Sequence, residues 1–96
     1  MIKIAVLGYG TVGSGVVEVI QTNQEVINQR IGEELEIKYI LDLRDFPGSP
    51  IEHLVVHDFE QIVNDEEVQI VVEVMGGIGP AYTFVKRSLL ASKSVA

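Results

Sequence analysis

The chain has 96 residues, no cysteine and a formal charge of −7, with 14 acidic side chains against seven lysines and arginines. That length predicts one small domain, and an apolar fraction of 47 % is enough to build its core. The lack of cysteine excludes disulfides, thiol chemistry and cysteine metal sites and fits a reducing compartment; the scattered basic residues argue against nucleic acid or an anionic membrane surface as a partner.

The apolar run over residues 4–7 reads as a strand covered on both faces, as in parallel sheets. Gly8, Gly10 and Gly13 follow at G-x-G-x-x-G spacing, and helix periodicity sets in at Thr11. The glycines therefore fall between a strand and a helix, the context that gives this motif meaning. Gly8 permits a tight turn off the strand, Gly10 lets a pyrophosphate approach the backbone, and Gly13 lets the helix pack close to the strand. The N–H groups of the first helical turn then face the phosphate oxygens, and the helix dipole favours their charge. A glycine turn serving only tight packing is the alternative, and the flanking strand and helix weigh against it.

Val12, Val16, Val17 and Ile20 form one apolar stripe on this helix. Thr22-Asn23 can end it, with Asn23 opening a second helix whose apolar face is Val26, Ile27 and Ile31 and which Gly32 stops. A continuous helix over 11–31 is equally compatible with the sequence. A second strand is expected over 35–43. Asp42 and Arg44 stand at its end, where dinucleotide folds read the adenosine ribose. A carboxylate there accepts from the ribose hydroxyls of NAD, and a guanidinium pairs with the 2′-phosphate of NADP. Both residue types are present, so the sequence leaves NADP and NAD open.

Residues 45–58 read as a loop with a short third strand over 54–56. His53 and His57 flank it and read as ordinary surface histidines, not a metal pair. Asp58 is a favoured cap for a short helix over 59–63, and Glu66 and Glu67 are solvated. A buried strand follows over 68–74. Gly76 and Gly77 lie beyond its end, on the edge of the sheet where ligands bind in open α/β folds. A last helix is expected over 80–92, opened by Gly79-Pro80, with Tyr82, Val85, Leu89 and Leu90 inward and Lys86 and Arg87 outward. Residues 94–96 read as the opening of another strand. The chain starts on a core strand, not a signal peptide, and has no apolar run long enough to span a membrane. A cytoplasmic protein is expected. The fold expected is a Rossmann-type three-layer α/β/α domain with a parallel sheet in the order 3-2-1-4.

The segments GYGTVGSGVV (8–17) and VVEVMGGIGPAY (71–82) resemble the N-terminal nucleotide-binding domain of homoserine dehydrogenase. The first motif is shared by many dehydrogenases; the second is far more specific. The resemblance implies NAD(P)-dependent interconversion of L-homoserine and L-aspartate 4-semialdehyde, on the route to threonine and methionine. It implies that Gly10, Thr11 and Val12 form the pyrophosphate-binding turn, that Arg44 approaches the 2′-phosphate of NADP, and that Gly76 and Gly77 lie beside the nicotinamide ribose. The family continues into a segment with a catalytic lysine and then a catalytic and dimerisation domain. The expectation is therefore that residues 1–96 are a truncated cofactor-binding domain, inactive alone, from an enzyme that is a homo-oligomer at full length. No residue here reads as a positioned acid, base, nucleophile or metal ligand. The competing reading is a non-catalytic NAD(H)-sensing regulatory module, which would share the first glycine turn without needing the second; a ligand-free structural domain ranks last.

Overall fold

Successive residues of the first strand serve opposite faces of the sheet, and both faces are covered. In the computed structural model, which describes residues 1–75 and 80–96, β1 (Ile2–Leu7) is the central strand. Its Ile4 and Val6 enter one buried cluster with Val17, Ile37, Ile40 and Ile51. Its Ala5 and Leu7 enter another with Leu41, Phe59, Ile62, Val68 and Val71. Burying each Val, Leu or Ile side chain contributes about 1.5–3 kcal/mol, so this strand anchors the fold from both sides. β2 (Leu35–Leu41) and β4 (Val68–Glu73) pair with it in parallel, and β3 (Val55–Val56) and β5 (Ser94–Val95) extend the sheet outward. The order is β3-β2-β1-β4-β5, which is the expected order with residues 94–95 now paired on β4. Two bulges interrupt the ladders. Lys38 is the extra residue where Ile4 faces Ile37 but Ala5 faces Tyr39, and Gln69 is its counterpart on β4.

α1 (Thr11–Thr22) covers the first face through Val17. α3 (Glu60–Val63) and α4 (Pro80–Leu90) cover the second through Ile62 and Phe84, with Phe84 stacked on Phe59 at 4.4 Å. Three layers result, as the sequence predicts. Of the two helix readings, the broken one holds. Asn23 interrupts the run, its backbone N–H and its Nδ2 both donating to the carbonyl of Val19 at 3.0 and 2.9 Å, and α2 (Gln24–Ile31) follows. Gly32 closes α2 in the left-handed region at φ 73°, where glycine is favoured.

Some apolar expectations are corrected. α2 buries none of its residues, and Val26 and Ile31 are exposed. Polar contacts tether it: Asn28 Oδ1 accepts from the N–H of Leu35 at 2.9 Å, and Gln24 donates to the Leu35 carbonyl. On α4, Leu89 and Leu90 face solvent. Among the described side chains of α4, Phe84 packs on the core, Val85 is half-buried, and Ser88 is buried, its hydroxyl satisfied by donating to the Phe84 carbonyl at 2.8 Å. The side chain of Tyr82 lies outside the described residues. α4 stops at residue 90 because Ser92 takes φ 64° and the N–H groups of Lys93 and Ser92 donate to Ser88 and Leu89, a Schellman closure. β2 stops at Leu41, leaving Leu43 88 % exposed.

The lower edge of the sheet is sealed by charge. Asp65 Oδ2 accepts from Lys38 Nζ at 2.5 Å and from the Tyr39 hydroxyl at 2.6 Å. Lys93, only 6 % exposed, donates to the carbonyls of Asp65 and Val68 at 2.7 and 2.8 Å. The upper edge, at the C-terminal ends of β1 and β2, stays open and carries the glycine turn.

Candidate functional site

Gly8 leaves β1 with φ 104°, a conformation that L side chains rarely adopt, and its N–H donates to the Leu41 carbonyl at 2.7 Å. The turn delivers Gly13 directly onto Gly8. A Cβ on Gly13 would stand 2.0 Å from the Gly8 carbonyl oxygen and 3.2 Å from Val74 Cγ2. Gly13 is thus the residue that lets α1 seat on the turn. Gly10 differs. A Cβ there would meet nothing within 4 Å, so packing does not require a glycine at this position. The open backbone is the space a pyrophosphate would need.

Gly10 is the N-cap of α1, no side chain caps it, and the first turn carries no acidic residue. The N–H of Ser14 closes the first helical bond, to the Gly10 carbonyl at 2.9 Å. The N–H groups of Thr11, Val12 and Gly13 precede it and lack intrahelical acceptors by the geometry of any helix. Val12, expected to point inward, is 63 % exposed and sits beside this turn. A cradle of donors without intrahelical acceptors, with the helix dipole behind it, suits a dinucleotide phosphate.

Asp42 joins the turn to the end of β2. Its Oδ2 accepts from the Tyr9 N–H at 2.9 Å and from Arg44 Nη2 at 3.1 Å. Its Oδ1 accepts from Arg44 N at 2.9 Å and Arg44 Nε at 3.1 Å. Four donors fill the approximate acceptor capacity of a carboxylate. The Arg44 side chain, then the backbone N–H groups of Arg44 and Tyr9, hold the Asp42 carboxyl down at about 2, against the opposing pull of burial. Arg44 lies over the Phe46 ring at 5.3 Å, and Phe46 meets Tyr9 edge-on at 5.0 Å. Arg44 Nη1 makes no hydrogen bond among the described residues.

The two residues that the sequence offered as alternatives are therefore one ion pair. Asp42 is both the strand-end turn residue and a candidate ribose reader. Gly76 and Gly77 lie outside the described residues. A cavity of about 230 Å³ opens next to the pair, walled by Leu41, Asp42, Leu43, His57, Met75 and Phe84. Its mostly apolar wall suits a flat aromatic base.

His57, which the sequence reads as an ordinary surface histidine, has two specific partners in the structure. Its Nδ1 lies 2.7 Å from the Asp42 carbonyl and its Nε2 2.8 Å from Asp45 Oδ1. Proximity in sequence to a strand end was the only signal available, and it is shared by many surface histidines. Among the described residues no group of three or more His, Asp or Glu could hold a metal, and no helix is long and apolar enough to cross a membrane.

The family model "Homoserine dehydrogenase, NAD binding domain" matches residues 8–96. Homoserine dehydrogenase of Helicobacter pylori is 38 % identical over 95 residues, which is 97 % of this chain and 22 % of the relative. That of Mycobacterium tuberculosis is 41 % identical over 96 residues, 98 % of this chain and 22 % of the relative. Crystal structures of homoserine dehydrogenase from S. aureus and Thiobacillus denitrificans superpose with TM-scores of 0.87 and 0.83. Their identities are 37 % and 31 %; each match covers 98 % of this chain, and 25 % and 22 % of theirs. The chain thus spans about a fifth to a quarter of the length of these relatives.

Proposed function

The chain belongs to the family of homoserine dehydrogenase NAD-binding domains, and from that premise we propose that it holds the cofactor for an enzyme interconverting L-homoserine and L-aspartate 4-semialdehyde. Such an enzyme would act in the cytoplasm, on the route to threonine and methionine, and as a homo-oligomer. Residues 1–96 would form its cofactor-binding domain, with the amino-acid substrate bound by the rest of the polypeptide. The bound nicotinamide would supply the hydride chemistry. This chain's own residues bind and orient. The N–H groups of Thr11, Val12 and Gly13 hold the pyrophosphate, and Gly8 and Gly13 fix the turn that aims them; by resemblance to the family, Gly76 and Gly77 are proposed to serve the nicotinamide side. The apolar cavity by Leu41 takes the adenine.

We further propose NADP as the preferred cofactor. The observation that carries this is the saturation of Asp42 by four protein donors. A ribose diol would have to displace Arg44 to reach the carboxylate. A 2′-phosphate would instead add to donors that Arg44 has spare. A hydrogen bond to a charged group contributes about 1.5–3 kcal/mol, and the negative charge of Asp42 beside Arg44 pulls the gain toward the lower end.

Calorimetric titration of the chain with NADP and with NAD, at one fixed salt concentration, tests both proposals. NADP should bind more tightly, and Arg44→Ala should weaken it about 10- to 100-fold while NAD binding holds or improves as Asp42 is released. Equal losses for the two cofactors would overturn the role of Arg44. No binding of either at millimolar concentration would overturn the cofactor reading.

A further inference from the structure

The imidazole of His57 lies between two oxygens and, among the described residues, hydrogen-bonds to no donor. Both the Asp42 carbonyl, 2.7 Å from Nδ1, and the Asp45 carboxylate, 2.8 Å from Nε2, can only accept. A neutral ring carries one N–H, so it satisfies one oxygen and turns a lone pair toward the other. A ring with both protons donates to both. Asp42 is therefore gripped twice, at its carbonyl by His57 and at its carboxylate by Tyr9 and Arg44. The turn between these grips is the one that carries Arg44.

We infer that His57 is a positioning residue for the ribose end of the cofactor site: when doubly protonated it ties the Asp42 carbonyl to the Asp45 carboxylate and fixes the turn that presents Arg44 to a 2′-phosphate. The inference rests on the cofactor reading above and deepens it, because it makes discrimination between NADP and NAD depend on pH. Among the described residues, the charged groups that act on the ring are the carboxylates of Asp42 and Asp45, and Asp42 is itself paired with Arg44. The neighbours sharing its cavity, Leu41, Leu43, Met75 and Phe84, are uncharged, and at the end of β4 the Glu73 carboxylate accepts from the Met75 N–H. On the side of α3, Asp58 Oδ1 accepts from the Glu60 N–H, and Glu60 is paired with Arg87 at 2.6 Å. In agreement with the geometry, the hydrogen bond to the Asp42 carbonyl, then that to Asp45, raises the imidazole above its ordinary 6.5. The ring and Asp45 are both well exposed, so the effect expected is several-fold, not orders of magnitude.

The test is a pair of titrations, NADP and NAD, run by calorimetry from about pH 6.5 to about pH 9. This range lies above the titration of a phosphate monoester near about 6. The unaltered chain is compared with His57→Asn, whose amide can still donate to the Asp42 carbonyl but does not titrate. For the unaltered chain, NADP affinity should fall about three- to ten-fold across the His57 titration while NAD changes little; for His57→Asn the NADP profile should be flat. Nitrogen NMR of the imidazole in the free protein should place its titration above 6.5, and Asp45→Asn should lower it. Coincident NADP profiles for the two proteins, or parallel weakening of NADP and NAD, would overturn the role of His57 and leave the cofactor reading standing. Failure of both cofactors to bind at any pH would overturn the two together.

Discussion

Gly13 and Gly10 are three residues apart in the same motif, yet the structure gives them opposite vulnerabilities. In Gly13→Ala the new methyl would lie 2.0 Å from the Gly8 carbonyl oxygen and 2.8 Å from its carbon. Both are backbone atoms, so no rotamer change relieves the overlap; α1 must recede by more than about 1 Å, given the van der Waals spacing of packed carbons. Overpacking of a well-filled site costs about 1–3 kcal/mol, and a backbone collision belongs at or above the top of that range. For a domain this small, about 2–4 kcal/mol should lower Tm by about 10–25 °C and remove a large share of a total near about 5–15 kcal/mol. In Gly10→Ala the methyl meets open space, so folding stability should change by less than about 1 kcal/mol. The same methyl stands where the pyrophosphate is proposed to approach, and NADP affinity should drop at least about ten-fold. Thermal unfolding followed by circular dichroism, together with calorimetric titration, separates the two. If Gly13→Ala melts within about 2 °C of the parent chain, the packing argument is wrong. If Gly10→Ala loses stability in step with Gly13→Ala, its binding loss says nothing about the pyrophosphate.

The lower edge of the sheet supplies two more predictions. The hydrogen bond from Lys38, and then that from Tyr39, depress the Asp65 carboxyl from 3.8 to about 2. A carboxyl depressed in the folded state contributes its stability in full above the unfolded value and loses it as pH falls through the folded one. Tm should therefore decline between about pH 4 and about pH 2, and Asp65→Asn should flatten that decline while costing about 1.5–3 kcal/mol at neutral pH; an unchanged acid slope would show that Asp65 is not the group involved. Lys93→Met removes the donor to the buried Val68 carbonyl and the half-buried Asp65 carbonyl. Urea denaturation should show a loss of about 1–3 kcal/mol, and a more stable variant would mean that the cost of burying the ammonium outweighs those bonds.

What the sequence revealed was what local pattern encodes. The apolar run of β1, the glycine spacing and the alternation of strands with helices each carry their meaning within a few residues, so the layers and the strand order could be read. The stripe on α4 was misread because Ser88 is buried with its hydroxyl satisfied within the helix, and hydropathy treats it as surface. Leu89 and Leu90 looked like core for the converse reason. The site was half legible. Position marked Asp42 and Arg44 as alternatives and did not show that they pair with each other; the bond from Asp42 to the Tyr9 N–H joins residues 33 apart in the chain, and no spacing rule carries that. His57 read as an ordinary surface histidine for the same reason: its partners, the Asp42 carbonyl and Asp45, lie 15 and 12 residues away in the chain.

The net charge of −7 looks unfavourable for holding an anionic cofactor, and the placement of the charges shows why it need not be. Lys3, Lys38 and Lys93 all serve the lower edge, where Glu67, Asp65 and backbone carbonyls engage them. They offer nothing to a ligand at the other end of the strands. At the upper edge the first turn of α1 has no acidic residue, and the nearby Asp42 is covered by Arg44 and the turn backbone. A cofactor seated as proposed would meet backbone N–H groups at contact distance, while surface carboxylates beyond about 8–10 Å are screened by physiological salt. Contact geometry therefore outweighs the total charge. An acidic residue introduced at Thr11 would do more harm to the site than several added on the exposed face of α2.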